Sequence, residues 1–241
     1  MPSYFITGTS SGIGLELVNQ LSKDPANRVF ASYRRSTPEL EELARAPNVK
    51  TVLLDVDDQS SIENLTSQLP DAPLDVLILN AGIAKTFDPV AATARDMWLD
   101  HFVTNTVGPI MVFQQLQHLL ERSSSPQVYF VSTMGGSIQS HLPFPSGAYG
   151  ASKAALNFIA RKLSEELPHI KVVSVHPGMV ATEKALETVG RAFAGNEAVK
   201  AKLMAICISP EQSAANIIAA IHSPIRSGRF IRVDDQSDIP F

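Results

Sequence analysis

At 241 residues, 44% of them hydrophobic, the chain is long enough for one sizeable core and short enough to stay a single α/β domain. A formal charge of −4 gives no electrostatic reason for a nucleic-acid or anionic-membrane partner. The lone Cys207 excludes an intramolecular disulfide and any multi-cysteine metal site, and no apolar stretch approaches the roughly 20 residues that span a bilayer. No basic, apolar signal precedes Tyr4-Phe5-Ile6, so a soluble cytoplasmic protein is expected.

In chain order, short apolar or β-branched runs alternate with helical patterns. Tyr4–Thr7 reads as a strand and Gly12–Leu21 as the helix after it. Arg28–Tyr33, Thr37–Ala44, Val49–Leu54 and Ser60–Leu69 repeat the alternation, with Ser60 as a helix N-cap and Glu63 three residues on. Val76–Leu79 is apolar at every position, as a strand covered by helices on both faces must be. Asp96–Leu120 has the period of one long helix, Val128–Ser132 that of a strand, and Tyr149–Leu167 that of a helix stopped by Pro168. Val172–Val175, Pro210–Ile221 and Phe230–Val233 complete the series. The alternation predicts right-handed crossovers and a parallel, doubly wound sheet of about seven strands in one domain spanning 1–241. The segment Glu183–Ile208 mixes apolar Leu186, Phe193, Leu203 and Met204 with charges, as a substrate-covering lid would.

Two features carry chemistry. Thr7-Gly8-Thr9-Ser10-Ser11-Gly12-Ile13-Gly14 follows the first strand and opens the first helix. Glycines there let the backbone approach a pyrophosphate, and the helix N-terminus offers free N–H groups. The spacing is G-x-x-x-G-x-G, not G-x-G-x-x-G, and a turn that only links strand to helix would use the same residues. Tyr149 and Lys153, four apart on a helix, share one face. A free phenol has a pKa of about 10. A nearby ammonium favours its anion, so the pair suits proton exchange with a substrate oxygen near neutral pH. No cluster of His, Asp and Glu suggests a metal, and His176 at a strand end reads as structural.

With Asn80-Ala81-Gly82 and Pro177-Gly178, these motifs stand in the order and rough spacing of the short-chain dehydrogenases/reductases, a family the chain resembles over nearly its whole length. The ending Ser227-Gly228-Arg229-Phe230, with Ile239-Pro240, resembles the branch of C-factor-like and sniffer-like carbonyl reductases. The stretch from Val131 to Ser137 resembles fungal ketoreductases acting on polyketides such as norsolorinic acid. The resemblance implies a Rossmann-type fold and hydride transfer from NADPH to a ketone or aldehyde, with alcohol oxidation as the reverse. It casts Tyr149 as proton donor and Lys153 as the group that tunes it and holds the nicotinamide ribose. Thr133 stands where the family usually has the second of two serines and would polarise the carbonyl; Ser132 is the rival or a second contact. Asn105 matches an asparagine that holds a water linking the lysine to solvent, although beside Gly108 and Pro109 it also suits a helix kink.

For the cofactor, the resemblance assigns Gly8, Ser10, Ser11, Gly12, Ile13 and Gly14 to the pyrophosphate. The second strand ends Ala31-Ser32-Tyr33-Arg34-Arg35 without a carboxylate, which favours NADP(H) over NAD. Arg34 takes the place of a 2′-phosphate arginine, with Ser10 and Ser32 as added hydroxyls; a solvated arginine pair is the plainer alternative. Asp55 and Val56 fall at the adenine, or at a helix entry. Asn80, Ala81 and Gly82 fall at the adenine ribose, and Pro177, Gly178, Val180 and Thr182 along the nicotinamide. The pocket is expected from Met134–Pro145, Phe87–Val90 and Glu183–Ile208, and Leu142, Pro143 and Phe144 lean it toward a bulky hydrophobic carbonyl compound. A homodimer or homotetramer through the helices Asp96–Leu120 and Tyr149–Leu167 is the family's habit, and a monomer is known among carbonyl reductases. Two other functions share the fold: a cofactor-binding regulatory protein, and a redeployed isomerase or cyclase.

Overall fold

A computed structural model describes residues 1–140 and 145–241; Leu142, Pro143 and Phe144 lie outside the described residues. In chain order its elements are β1 (Ser3–Ile6), α1 (Gly12–Leu21), β2 (Arg28–Tyr33), α2 (Pro38–Leu43), β3 (Val49–Leu53), α3 (Gln59–Glu63) and β4 (Val76–Leu79). Then follow α4 (Arg95–Phe102), α5 (Gly108–Leu120), β5 (Gln127–Val131), α6 (Gly147–Glu166), β6 (Lys171–His176), α7 (Glu183–Ala192), α8 (Glu197–Ala205), α9 (Pro210–His222) and β7 (Arg229–Arg232). The strands form one sheet in the order β3-β2-β1-β4-β5-β6-β7, every pair parallel. Strand order reverses between β1 and β4, so a crevice opens at their carboxyl ends, where doubly wound sheets bind ligands.

Both faces are buried, which explains why β4 is apolar throughout. Val76 and Ile78 pack into a layer with Leu17, Val18 and Leu21 of α1 and Ala214, Ile217 and Ile221 of α9. Leu77 and Leu79 point the other way, into Val112, Phe113 and Leu116 of α5 and Leu156, Ala160 and Leu163 of α6.

Two helices differ from the expectation. Ser60 is not the N-cap; the Asp58 carboxylate takes that place and accepts from the Ser60 N–H at 2.9 Å. The helix is also shorter, ending at Glu63, with one 3₁₀ turn at Thr66–Gln68 after it. The long helix is interrupted: between α4 and α5 the segment Val103–Val107 is a π-turn, closed by the Gly108 N–H bonding to the Val103 carbonyl. Pro109 has no N–H to give the Asn105 carbonyl four residues back, so the regular ladder cannot run through this point.

Candidate active site

The first glycine turn is shaped by its neighbours. Gly8 and Gly12 have φ of 72° and 59°, values that a side chain disfavours. A Cβ on Gly8 would also meet the Ala81 backbone at 2.9 Å, one on Gly12 would meet the Thr182 methyl at 2.9 Å, and one on Gly14 would collide with the Gly8 carbonyl oxygen. The turn therefore touches the segments after β4 and after β6. Thr7 ties it down: its Oγ1 accepts from the N–H groups of Asn80 at 2.9 Å and Ala81 at 2.8 Å, and Asn80 Nδ2 donates to the carbonyls of Thr7 and Gly8. Asn80 and Ala81 thus build the crevice wall. At the start of α1, Ser11 makes no side-chain cap and the first turn holds no acidic residue, so this helix end suits a phosphate. Ile13 packs partly into the core behind it.

Arg34 lies at the end of β2, exposed, with its guanidinium 3.6 Å from Asp55 and 3.7 Å from Asp57. Exposed pairs at such distances hold an arginine weakly. Ser10 Oγ donates to the Arg35 carbonyl at 2.6 Å. Ser32, by contrast, is buried, and its carbonyl accepts from Thr9, so it is a wall residue. Asp55 sits at the end of β3, and Val56 packs against the first residue of α5. On the far side Gly178 has φ of 89°, the Pro177 carbonyl accepts from Ser213, and Thr182 caps α7 by accepting from the Ala185 N–H at 3.2 Å. Val180 pairs with Ile208, and Ile208 N–H bonds the Met179 carbonyl at 2.8 Å, so α7 and α8 leave and rejoin the body at one neck.

Lys153, Tyr149 and Thr133 meet at the carboxyl end of β5. Lys153 is buried, 4% exposed, and its ammonium donates to the Val131 carbonyl at 2.7 Å. Burial pushes its pKa down to about 8. Tyr149 stands one turn earlier on α6; burial raises its pKa, and a hydrogen bond from the Thr133 hydroxyl pulls the other way. The expected lowering of the phenol by Lys153 is therefore not what this geometry gives: the ammonium is engaged by Val131, and burial dominates at both groups. Thr133 also caps a 3₁₀ turn, accepting from the Gly135 N–H at 3.2 Å. Ser132 faces away. Its Oγ is buried without a hydrogen-bond partner, as alternation along an extended chain requires when Thr133 faces the phenol.

Asn105 is fully buried at the π-turn. Its Oδ1 accepts from the Ile83 N–H at 2.7 Å, and its Nδ2 donates to the Ile83 carbonyl at 2.9 Å and to Ser152 Oγ at 3.0 Å. It joins three segments and does not serve a kink in its own helix. Gly82 lies between Asn105 and Lys153: a Cβ there would sit 3.1 Å from Asn105 Oδ1 and 3.3 Å from Lys153 Nζ.

Sequence reasoning missed His101. Its imidazole is fully buried and stands edge-on to the Tyr149 ring, with centroids 6.3 Å apart. Phe87 stands at right angles to the same ring at 6.2 Å and stacks on Phe193, at the end of α7, at 6.4 Å. His176, read as structural, is mostly buried with Nδ1 unpartnered and a pKa pulled down to about 4, chiefly by burial. Among the described residues no group of His, Cys, Asp and Glu could hold a metal, and no helix is long and apolar enough to cross a membrane.

Comparison with known proteins places this arrangement. The profile of the short chain dehydrogenases matches residues 3–190. An uncharacterized oxidoreductase of Schizosaccharomyces pombe is 36% identical, covering 99% of this chain and 97% of its own. The norsolorinic acid ketoreductase of Aspergillus parasiticus is 26% identical over 99% of this chain and 90% of its own. Among solved structures, the carbonyl reductase Sniffer of D. melanogaster is 28% identical with a TM-score of 0.85, covering 100% of both chains. An NADPH-bound carbonyl reductase from chicken fatty liver is 25% identical with a TM-score of 0.84, covering 100% of this chain and 99% of that one. With its glycine turn, buried lysine and half-buried tyrosine at the mouth of one parallel sheet, the chain belongs to the short-chain dehydrogenase/reductase family of oxidoreductases.

Proposed function

We propose that the chain is an NADP(H)-dependent reductase that transfers hydride to the carbonyl of a small to medium, apolar ketone or aldehyde. The observation that carries this reading is the meeting of Tyr149, Thr133 and the buried Lys153 beside the glycine turn. The residues fit the dinucleotide. Gly8, Ser10, Ser11, Gly12, Ile13 and Gly14 would hold the pyrophosphate and Arg34 the 2′-phosphate, where no carboxylate on β2 opposes it. Asp55 and Val56 would meet the adenine, Asn80, Ala81 and Gly82 its ribose, Tyr149 and Lys153 the nicotinamide ribose, and Pro177, Gly178, Val180 and Thr182 the carboxamide. NADPH, when bound, supplies the hydride.

The chain's own residues do the rest. The Thr133 hydroxyl donates to the substrate carbonyl oxygen and polarises it. As negative charge gathers there, the Tyr149 phenol gives that oxygen its proton, and the carbonyl becomes an alcohol. A phenol raised by burial stays protonated at neutral pH, the form that reduction needs. The Lys153 ammonium, held by the Val131 carbonyl, would fix the nicotinamide ribose beside the phenol, and Asn105 holds the Gly82 segment against it. Phe87, Phe193 and the segment 183–208 give the pocket an apolar wall and a lid. Self-association would use the exposed Leu99, Val103 and Val107 of the α4–α5 region and Phe158 of α6.

The test is NADPH oxidation across a panel of ketones and aldehydes, comparing the natural chain with Tyr149→Phe. The variant should lose at least about a hundredfold in kcat with NADPH binding intact. A phenylalanine variant at full rate would overturn the mechanism.

A further inference from the structure

Among the described residues, the stretch Ile83 to Lys85, beyond the residues tied to Thr7, makes no backbone pairing. Two side chains of the neighbouring helix hold it instead. Asn105 brackets Ile83, and His101, four residues earlier, takes Lys85: the Lys85 N–H donates to His101 Nε2 at 3.0 Å. Two residues of chain reach at most about 7 Å and a helical turn rises about 5.4 Å, so alternate residues of the segment meet side chains one turn apart. The partners also fix the tautomer. His101 Nδ1 lies 2.6 Å from the Met97 carbonyl, which can only accept, so Nδ1 carries the proton and Nε2 is the acceptor. Outside this pair, the Lys85 ammonium meets the Asp100 carboxylate at 2.6 Å. Two residues beyond Lys85 comes Phe87, whose ring stands against both Tyr149 and the lid residue Phe193.

We propose that His101 is a positioning residue: by accepting the Lys85 N–H it fixes the segment that carries Phe87, and so sets how the Tyr149 ring and the lid helix α7 meet. This rests on Tyr149 being the proton donor. A helix-borne acceptor thereby ties the reactive ring to the cover over the substrate, and losing it frees both. Protonation has the same effect as deletion, since it puts an N–H where Nε2 must accept. The charged groups facing the ring are Lys85 and Asp100, and Tyr149 of α6 is the titratable neighbour. Burial is the largest influence and holds the imidazole below its ordinary pKa, neutral near pH 7; the hydrogen bond to the Met97 carbonyl opposes it, Lys85 acts with burial, and Asp100 opposes it more weakly.

Two variants and one pH series test this. His101→Phe keeps a ring beside Tyr149 and removes the acceptor; His101→Gln restores an acceptor at similar reach. NADPH affinity should stay within about twofold for both, because His101 lies outside the dinucleotide cradle. In His101→Phe, kcat/KM for the carbonyl substrate should fall at least about tenfold, the scale of an unsatisfied buried donor, mainly through KM. Amide hydrogen exchange in Glu183–Ala192 should quicken by a similar factor. The glutamine variant should recover both to within about threefold. In the natural chain, protection factors in the same helix (exchange relative to each amide's intrinsic rate at that pH) should fall as pH drops below neutrality, and His101→Gln should lack that response. The proposal is overturned if the phenylalanine variant matches the natural chain in both readouts, if glutamine is as impaired as phenylalanine, or if acid leaves the protection factors of α7 unchanged. Should His101→Phe fail to fold, the glutamine variant and the pH series decide. The exchange readout needs no turnover, so loss of the Tyr149 reading, seen as a fully active Tyr149→Phe, is separable from loss of this one.

Discussion

Replacing Lys153 by methionine should stabilise the chain at neutral pH while abolishing turnover. The buried ammonium has a pKa of about 8 in the fold against an ordinary 10.5, and each pH unit of difference is worth about 1.4 kcal/mol. Folding with the proton on therefore costs about 3 kcal/mol at pH 7. Methionine keeps the length, removes the charge and loses the 2.7 Å bond to the Val131 carbonyl, a loss of about 1–2 kcal/mol. The net gain is about 1–2 kcal/mol, or about 2–8 °C in Tm for a chain of this size. The sign follows from proton binding. Between pH 8 and 10.5 the unfolded chain holds the proton that the fold has released, so the natural chain gains stability as pH rises through that window. The methionine variant lacks this gain. Its advantage should therefore be full at pH 7 and largely gone by about pH 10. Thermal unfolding of both proteins without NADP(H), read by circular dichroism at the two pH values, measures the difference; the alkaline effects of Tyr4, Tyr129 and Tyr149, all raised chiefly by burial, occur in both proteins. A variant less stable than the natural chain at pH 7, or a Tm difference that ignores pH, would refute the reasoning.

Three further outcomes follow from the same geometry. Thr133→Val should lower kcat/KM about a hundredfold while Thr133→Ser retains most of it, and Ser132→Ala should change activity less than threefold, because its hydroxyl is turned away; steady-state kinetics on one carbonyl substrate separates the three. Arg34→Ala should raise KM for NADPH at least about tenfold and leave NADH nearly unchanged, and equal effects on both would remove the arginine from the 2′-phosphate. His176, held at about 4 against an ordinary 6.5, supplies stability that is complete above pH 6.5 and is lost as pH falls from there through 4, about 3 kcal/mol in all; urea midpoints at pH 7 and pH 4.5 should converge when His176→Asn replaces the natural chain, and an unchanged acid slope would exclude the histidine.

Much of the fold was legible because periodicity and burial agree along single strands: Val76–Leu79 reads as apolar on both faces, and both faces are filled. Tyr149, Lys153 and the glycine turn were legible because helix spacing and backbone permissiveness are local properties. The π-turn was half visible in Gly108-Pro109, which showed a disturbed ladder but not what Asn105 would do there. Ser60 looked like a cap as well as Asp58 did, and only the closing geometry separates a carboxylate two residues ahead from a hydroxyl inside the helix. His101 was invisible. A single histidine in a helix carries no signal of the loop N–H it will meet, and that partner is brought by the tertiary fold. The phenol's direction of shift was misjudged for a related reason, since helix spacing shows proximity to an ammonium but not the burial that outweighs it.

The neck at Val180 and Ile208 makes the intervening α7–α8 unit an insertion whose two ends are already adjacent. Closing such a segment depends only weakly on its length, about 0.6 kcal/mol per doubling, and the sheet takes no strand from it. The α7–α8 unit should therefore be exchangeable as a cassette between related chains with the glycine turn and the Tyr149 region left standing. A chimaera that replaces residues 183–207 should keep the NADPH affinity of the parent and change only which carbonyl compounds it accepts. With the proposed lid role, substrate choice would evolve in about one-tenth of the chain while the proposed chemistry stayed fixed in the rest.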